Sequence, residues 1–548
     1  MVFLSEVRIR RPRGTRDLLP DETVKRDYVE RVIRRVFESY GFQRVETPIF
    51  ETFDLFALRS GEEIRSKMFV FTIDEGEMVL RPELTAPVCR MIAMGEVDLS
   101  VKPIRFYYIG RCYRYEEPQA GRYREFWQAG LELMGSPYPE ADAEVIAIAV
   151  DVLRELGLKD YELRIGNLEV LRAFLNENRI PEEVQNRMIG PLDVLSSSVD
   201  KLKMYKRKLL EGEGLSKNDL MDMKRRCDEL RLWVEEEMRR AEAGRSPIPK
   251  ELLERVEVDE RLYRLDELYR SGEADELVDF IDKAVEKLIA AQKLRWVYQG
   301  IPYEDEEGEE TFKMPPEVVD TLISMMELVG PREDIIPKAR ELFRTSEKAM
   351  RALDAFEEVL DALSWYGIER YMVDLSIARG LEYYTGTVFE IDCPLLGAQK
   401  QICGGGRYDK LVEEFGGPSL PATGFAFGLD RLILALERSG VELPSPARAD
   451  AYVIPLSPDV LPYAMRVAGE LRSRGLRIEV GLMRRKLGRE LANVDKLGIP
   501  FAIIIGPGEM ERNIVALRNM ETKEQLELPV EKAAELILNT LGRGGGNG

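Results

Sequence analysis

The chain has 548 residues, 45% hydrophobic and 32% charged, with a formal net charge of −20 and no histidine. Its length predicts three or so domains, and its acidity excludes a protein that coats nucleic acid by bulk attraction, so any RNA contact must be local. Without histidine there is no imidazole-activated nucleophile, HExxH zinc helix or imidazole general base, which leaves arginines, carboxylates, tyrosines, metal ions and the substrate's own groups.

Periodicity over residues 21–40 (Val24, Tyr28, Val32, Val36, Phe37) predicts a helix stopped by Gly41. The following FQRVETPIFE reads as a strand, with Pro48 assigning it to an edge or interface. MVLRPEL, residues 78–84, leads into a helix that begins at Thr85 and is capped by its hydroxyl. Glu83 and Thr85 then share a helix mouth, where a carboxylate beside a hydroxyl suits an ammonium ion. The blander alternative is a carboxylate that merely favours the helix dipole.

Residues 111–135, RCYRYEEPQAGRYREFWQAGLELMG, read as one hairpin. Arg114, Arg122 and Arg124 can meet phosphate oxygens bidentately, and Phe126 offers a ring face to a base. Alternation puts Phe126, Gln128, Gly130 and Glu132 on one strand face and turns Trp127 away. A solvated surface hairpin is the plain alternative.

A helix over 141–156 and a strand over 161–165 follow. Residues 175–366 then read as a charged, mostly helical insertion whose stripe Leu220, Met223, Cys227, Leu230 and Val234 is for packing. YMVDLSIARGLEYYTGTVFEIDC, residues 371–393, reads as strand, glycine turn and strand. QICGGGRYD, residues 401–409, has three glycines that admit close backbone approach but lacks the GxGxxG spacing of a dinucleotide site. GFAFGLDRLILALE, residues 424–437, predicts a strand delivering a helix with Asp430 and Arg431 in its first turn. A cation there disfavours the helix, so an anionic partner is expected, unless Arg431 pairs with Asp430 or Glu437. Residues 444–448 read as a linker, followed by alternating strands and helices of a small α/β domain. Within it, residues 466–490 carry eight basic residues against three glutamates. The GRGGGNG tail, residues 542–548, is expected to be disordered.

No segment has the apolar run of a membrane helix and the first residues make no signal peptide, so a cytoplasmic protein is expected. Cys89, Cys112, Cys227, Cys393 and Cys403 lack CxxC spacing and predict reduced thiols.

In combination these motifs resemble the class II aminoacyl-tRNA synthetases, specifically the histidyl-tRNA synthetase family. Residues 21–51 resemble motif 1, the dimer element, residues 111–135 motif 2, and residues 424–437 motif 3. RPELTA at 81–86 resembles the amino-group element, and RGLEYYTGTVFE from Arg379 to Glu390 matches the family's histidine-specific signature. The implied fold class is α/β (α+β): an antiparallel-sheet catalytic domain at 1–174 and 367–443, the helical insertion at 175–366, and an anticodon-binding domain at 444–541.

The resemblance implies ATP-dependent activation of L-histidine and transfer to tRNA(His), with Mg2+ and a homodimer. Arg114, Glu116, Arg122, Phe126 and Arg431 are the expected ATP contacts. Glu83, Thr85, Arg114, Gln128, Glu132, Arg379, Tyr383, Tyr384 and Tyr408 are the expected histidine contacts, with Arg379, Arg114 and Gln128 catalytic. In this scheme Glu132 reads the imidazole with Tyr383 and Tyr384, and Tyr408 closes the pocket. A regulatory subunit of ATP phosphoribosyltransferase is the alternative, opposed by the C-terminal domain and by Arg379.

Overall fold

The computed structural model describes residues 10–57, 67–118, 121–256, 274–305, 308–377, 383–446 and 448–542. The chain divides into two compact units, residues 1–443 and 444–548.

The first unit contains strands β1 (Gln43–Arg44), β2 (Phe50–Thr52), β3 (Phe69–Ile73), β4 (Gly76–Leu80), β5 (Ile104–Tyr113), β6 (Glu125–Met134) and β7 (Glu162–Asn167). It continues with β8 (Ile301–Asp305), β9 (Gly308–Phe312), β10 (Val329–Gly330), β11 (Met372–Asp374), β12 (Thr387–Asp392), β13 (Gln401–Arg407) and β14 (Ala422–Gly428). Nine of them form one sheet in the order β1-β5-β6-β14-β13-β12-β7-β11-β10. It is antiparallel except where β1 meets β5 and β11 meets β7.

The strand period of two separates the faces of this sheet. Leu131 faces Phe425 and Ala129 faces Phe427 across β6 and β14, and these side chains join a large apolar cluster. Helices Pro20–Ser39, Pro139–Leu156 and Glu347–Trp365 contribute Ile33, Phe37, Ile146, Leu153 and Phe356 to the same cluster. Each fully buried aromatic or aliphatic side chain of this kind contributes about 2 kcal/mol by leaving water. The opposite face carries Glu132, Gly130 and Gln128 opposite Gly424, Ala426 and Gly428. Its smaller core of Leu84, Val88, Tyr108, Tyr408 and Leu411 leaves room for a ligand.

The FQRVETPIFE segment is two short strands, β1 and β2, with Pro48 between them. Proline supplies no N–H to a ladder, so the chain leaves the large sheet there and enters the three-stranded sheet β2-β4-β3. Within residues 175–366 the long helices Glu182–Leu210, Lys217–Glu242 and Ala274–Leu294 dominate. The stripe Leu220, Met223, Cys227, Leu230 and Val234 is buried, as packing requires. The same stretch also contains the hairpin β8–β9, and β10 pairs with β11 in the main sheet. All five cysteines are free and buried.

The second unit is a five-stranded sheet, β16-β15-β17-β18-β19, of β15 (Ala451–Pro455), β16 (Ile478–Val480), β17 (Phe501–Ile505), β18 (Val515–Asn519) and β19 (Gln525–Leu528). The basic stretch is not uniform. Arg472 donates to the Ile478 carbonyl at 2.7 Å, Arg477 pairs with Asp450 at 2.6 Å, and Arg474 with Glu470 at 3.0 Å. Arg484, Arg485, Lys486 and Arg489 are exposed beside the exposed Leu482 and Met483. Of the tail, residues 543–548 lie outside the described residues.

Candidate active site

A cavity of about 470 Å³ lies on this second face of the large sheet, and its lining includes Glu83, Thr85, Arg114, Glu116, Arg122, Phe126, Gln128, Tyr383, Tyr384, Tyr408 and Arg431. Arg379 lies outside the described residues, together with the rest of residues 378–382. Glu132 does not itself line the cavity; it is only 1% exposed and is bonded to the lining residue Tyr408.

Glu132 is a carboxyl strongly altered by its surroundings. Tyr108 donates to its Oε1 at 2.8 Å, and Tyr408 donates to its Oε2. Loss of water dominates all the same, and burial pushes the carboxyl up to about 8, against the pull of the Tyr408, Thr85 and Tyr108 hydroxyls. Tyr383 and Tyr384 do not supply these hydrogen bonds. Their rings pack against one another instead, Tyr383 tilted against Tyr384 at 5.0 Å and edge-to-face with Tyr408 at 5.7 Å between centroids. Tyr108, absent from the expected contacts, is the second phenol. It stands opposite Gly130, where a β-carbon would come within 2.7 Å of its hydroxyl. The signal was therefore in the sequence: a glycine on the ligand face makes room for a tyrosine from the neighbouring strand.

At the mouth of helix Thr85–Ala93, the cap differs from expectation. Leu84 holds the N-cap position and the Thr85 hydroxyl caps nothing. Glu83 accepts from the Thr85 and Ala86 amides at 2.5 and 2.9 Å, and Thr85 Oγ1 lies 3.3 Å from the Tyr108 hydroxyl. A carboxylate at a helix N-terminus is favoured by the dipole, yet burial raises the Glu83 carboxyl above its ordinary range. Both the helix-dipole role and an ammonium receptor use the same two oxygens.

The hairpin β5–β6 carries the cationic side. Arg114 donates its Nε to the Pro82 carbonyl at 2.9 Å and lies 5.2 Å over the Phe126 ring, so one face of that ring is already covered. Arg122 pairs with Glu116. Arg124 is turned inward: its Nε donates to the Glu116 carbonyl at 3.1 Å and its guanidinium covers the Tyr115 ring at 4.0 Å. It therefore braces the loop rather than offering a phosphate contact. Gln128 accepts from the Cys112 thiol through Oε1 at 3.2 Å, which leaves its two N–H donors for a ligand. The Trp127 indole lies between Arg26 and Arg111, at 5.0 and 5.4 Å, although the residue also borders the cavity.

At the start of helix Leu429–Arg438, Asp430 pairs with Arg26 at 2.6 Å and with Arg16, while Glu437 pairs with Lys25 at 2.6 Å. Both carboxylates offered as alternatives for Arg431 thus have other cations as partners. In β13, β-carbons at Gly405 and Gly406 would strike the Gly424 and Thr387 carbonyls, so the glycines serve strand-to-strand approach. Arg407 is held by Asp142 at 3.0 Å and Asp409 at 3.1 Å and belongs to the scaffold.

The arrangement offers phenols, a carboxylate at a helix mouth, an amide donor and several guanidiniums within one cavity, with the buried Glu132 carboxyl bonded to one of those phenols. Comparison with known proteins identifies the source of this arrangement. A family model described as histidyl-tRNA synthetase matches residues 14–202 and 253–432, and one described as an anticodon binding domain matches residues 450–540. A histidine–tRNA ligase of Pyrococcus abyssi is 35% identical over 97% of this chain and 99% of its own length. That of Thermococcus kodakarensis is 35% identical over 98% of this chain and 99% of its own. A crystal structure of histidyl-tRNA synthetase from Nostoc shares the fold, with a TM-score of 0.60 at 24% identity, covering 98% of this chain and 100% of that one. The chain belongs to the histidyl-tRNA synthetase family.

Proposed function

We propose that the protein activates L-histidine with ATP and transfers the histidyl group to tRNA(His). The observation that carries this reading is Glu132, a buried carboxyl bonded by Tyr108 and by the lining residue Tyr408, beside a cavity whose walls suit a zwitterion and a nucleotide. An imidazole has one donor and one acceptor, and a site built to pair both rejects apolar analogues because they leave its polar groups unpaired.

Glu83 and Thr85 are assigned to the α-amino group, and Gln128, as a donor, to the carboxylate. Arg114 is assigned to both the carboxylate and the α-phosphate. Phe126 stacks adenine on the face opposite Arg114, Glu116 contacts the nucleotide, and Arg122 and Arg431 hold the distal phosphates. A histidine carboxylate oxygen attacks the α-phosphorus, a phosphorus–oxygen bond forms, and pyrophosphate leaves. Such a step needs charge stabilisation and alignment more than covalent help. A terminal ribose hydroxyl of the tRNA then attacks the acyl carbon and AMP leaves. With no histidine in the protein, a nonbridging phosphate oxygen of the adenylate takes the hydroxyl proton.

Magnesium is proposed to arrive with the triphosphate as part of the nucleotide substrate. Among the described residues no group of three or more Asp, Glu or Cys could hold it, so the phosphate oxygens would supply its ligands. A homodimer is proposed from the motif 1 resemblance, supported by the exposed Ile49, Phe50, Phe71 and Ile73 at the three-stranded sheet. The exposed cations at 484–489 are assigned to the tRNA backbone. No described helix is long and apolar enough to cross a membrane, which supports a cytoplasmic location.

The deciding experiment is ATP–pyrophosphate exchange with single amino acids, followed by charging of tRNA(His). Exchange with histidine alone is expected; none with any amino acid would leave a synthetase-like regulatory subunit. Arg379, placed by resemblance at the α-phosphate, gives a further expected result: Arg379→Ala lowers kcat of exchange by about 100-fold, because it removes a fixed charge used only in the transition state.

The pH profile adds another. In kcat/KM for histidine, which reports free enzyme and free substrate, activity should rise with pH in two steps. The first, at about 6.5, belongs to the substrate imidazole losing its extra proton. The second, near 8, belongs to Glu132, protonated below that pH and able to accept the ring N–H above it. Glu132→Gln should abolish only the upper step.

A further inference from the structure

Residues 13–16 precede the first helix and lie outside every motif discussed above, yet they touch two of the nucleotide-binding elements. Arg13 pairs with Glu117 at 2.5 Å. Gly14, at φ 84°, accepts the Arg124 amide on its carbonyl at 2.8 Å. A β-carbon at Gly14 would lie 2.6 Å from Arg124 Cγ and 3.0 Å from Pro118, so the segment is pressed against the loop that joins β5 to β6. Arg16 then reaches further. Its guanidinium lies 4.2 Å over the Tyr123 ring, donates to the Tyr123 hydroxyl at 3.3 Å and to Glu22 at 3.2 Å, and pairs with Asp430.

Asp430 is the point where these elements meet. Its side chain is 3% exposed, Oδ1 is shared by Arg16 and Arg26, and Oδ2 accepts the Trp127 amide of β6 at 3.1 Å. It is followed directly by Arg431, against whose Cγ the loop residue Gly121 packs, with a β-carbon there only 3.3 Å away. A buried carboxylate bonded from two sides by guanidiniums and once by a backbone amide has few alternative arrangements.

We propose that residues 13–16 form a strap that fixes the hairpin loop against the start of helix Leu429–Arg438, with Arg16 as a positioning residue for the nucleotide phosphates. It rests on the assignment of Arg122 and Arg431 to those phosphates. Arg16 touches neither the phosphates nor histidine; it sets Tyr123, next to Arg122, and Asp430, next to Arg431. Loosening the strap separates the two cations that must act on one triphosphate, and leaves the histidine end of the cavity in place.

The test is ATP–pyrophosphate exchange by the full chain, with KM for ATP and for histidine measured separately and the thermal midpoint recorded. Arg16→Ala is expected to raise KM for ATP about tenfold, the scale of a small displacement of a binding group. KM for histidine should stay within about twofold, since the histidine end makes no use of the strap. Arg16→Lys keeps a cation for Asp430 but loses the planar contact with Tyr123, and should give an intermediate rise. Tyr123→Leu combined with Arg16→Ala should cost less than the two added, because both cut one connection. Equal rises in both KM values with a lowered midpoint would make Arg16 a fold residue and overturn the strap, as would an unchanged KM for ATP. If Arg16→Ala does not fold, Arg16→Lys and Tyr123→Leu must each raise KM for ATP selectively, and failure to do so overturns it. Arg122→Ala separates the two levels. Should it leave KM for ATP unchanged, the phosphate assignment itself fails; should it raise KM while the Arg16 variants do not, only the strap fails.

Discussion

Glu132→Gln is expected to lower kcat/KM for histidine by about 1,000-fold or more in ATP–pyrophosphate exchange, the scale on which a site built for a polar ring rejects a mismatch. KM for ATP should remain within about twofold, because none of the residues proposed to hold the nucleotide bonds to Glu132. The amide has nearly the shape of the carboxyl, so the loss is chemical. Tyr108 and Tyr408 both donate to Glu132, and under the proposed function the imidazole N–H needs an acceptor on the same group. A glutamine has one oxygen where the carboxylate has two, and its NH2 then opposes one phenol or the ring N–H.

Stability should move the other way. The Glu132 carboxyl is raised in the folded chain from 4.5 to about 8. Its contribution to stability is therefore full below 4.5 and lost as pH rises through about 8, as the buried group is forced to ionise. The glutamine variant has no such loss, and its stability relative to the parent should increase as pH rises from 4.5 to about 8 and level off above. A variant that is inactive and also less stable at high pH would show that the carboxylate is structural.

Gly424→Ala is expected to abolish histidine activation to a similar degree by a different route. Gly424 pairs with Glu132 across β6 and β14. A β-carbon there would overlap Glu132 Oε2 and the Leu131 carbonyl oxygen. One of these is main chain and the other is fixed by Tyr408, so neither yields cheaply. Either Glu132 leaves its place or β14 separates from β6. Activity should fall by about 100-fold or more, since a displacement on the scale of an ångström suffices. The fold should lose about 2–3 kcal/mol from overpacking, read as a lower urea midpoint at unchanged slope. Gly469→Ala, in helix Leu461–Ser473 with nothing within 4 Å of the added carbon, is the control and should be neutral or stabilising.

These two positions also show what the sequence discloses. Alternation along 125–132 placed Phe126, Gln128, Gly130 and Glu132 on one face, because the strand period is a local property of the backbone. The helix–glycine stop at Gly41 and the strand-to-helix delivery at 422–438 were legible for the same reason. Pairing between distant strands was not. Gly130 left room for a tyrosine of β5 without naming Tyr108, and nothing near Asp430 says that Arg16 and Arg26 converge on it. The cap at Thr85 was misread because two oxygens compete for the same amides, and the longer Glu83 side chain reaches back to them. Arg124 was misread because a guanidinium suited to phosphate is equally suited to a carbonyl and an aromatic ring.

The strand order has a consequence for how this molecule comes into being on the ribosome. Strand β6 carries Gln128 and Glu132, but its neighbour on the far side is β14, and Tyr408 follows β13. At about 5–20 residues per second of synthesis, β6 emerges on the order of tens of seconds before the strand that pairs with it. Through that interval its inner edge has no partner and its ligand face lacks Tyr408, so the site proposed for histidine cannot form until residues 387–428, which hold β12 to β14, have been made. The long helices made in between can bury their stripes locally while the half-sheet waits.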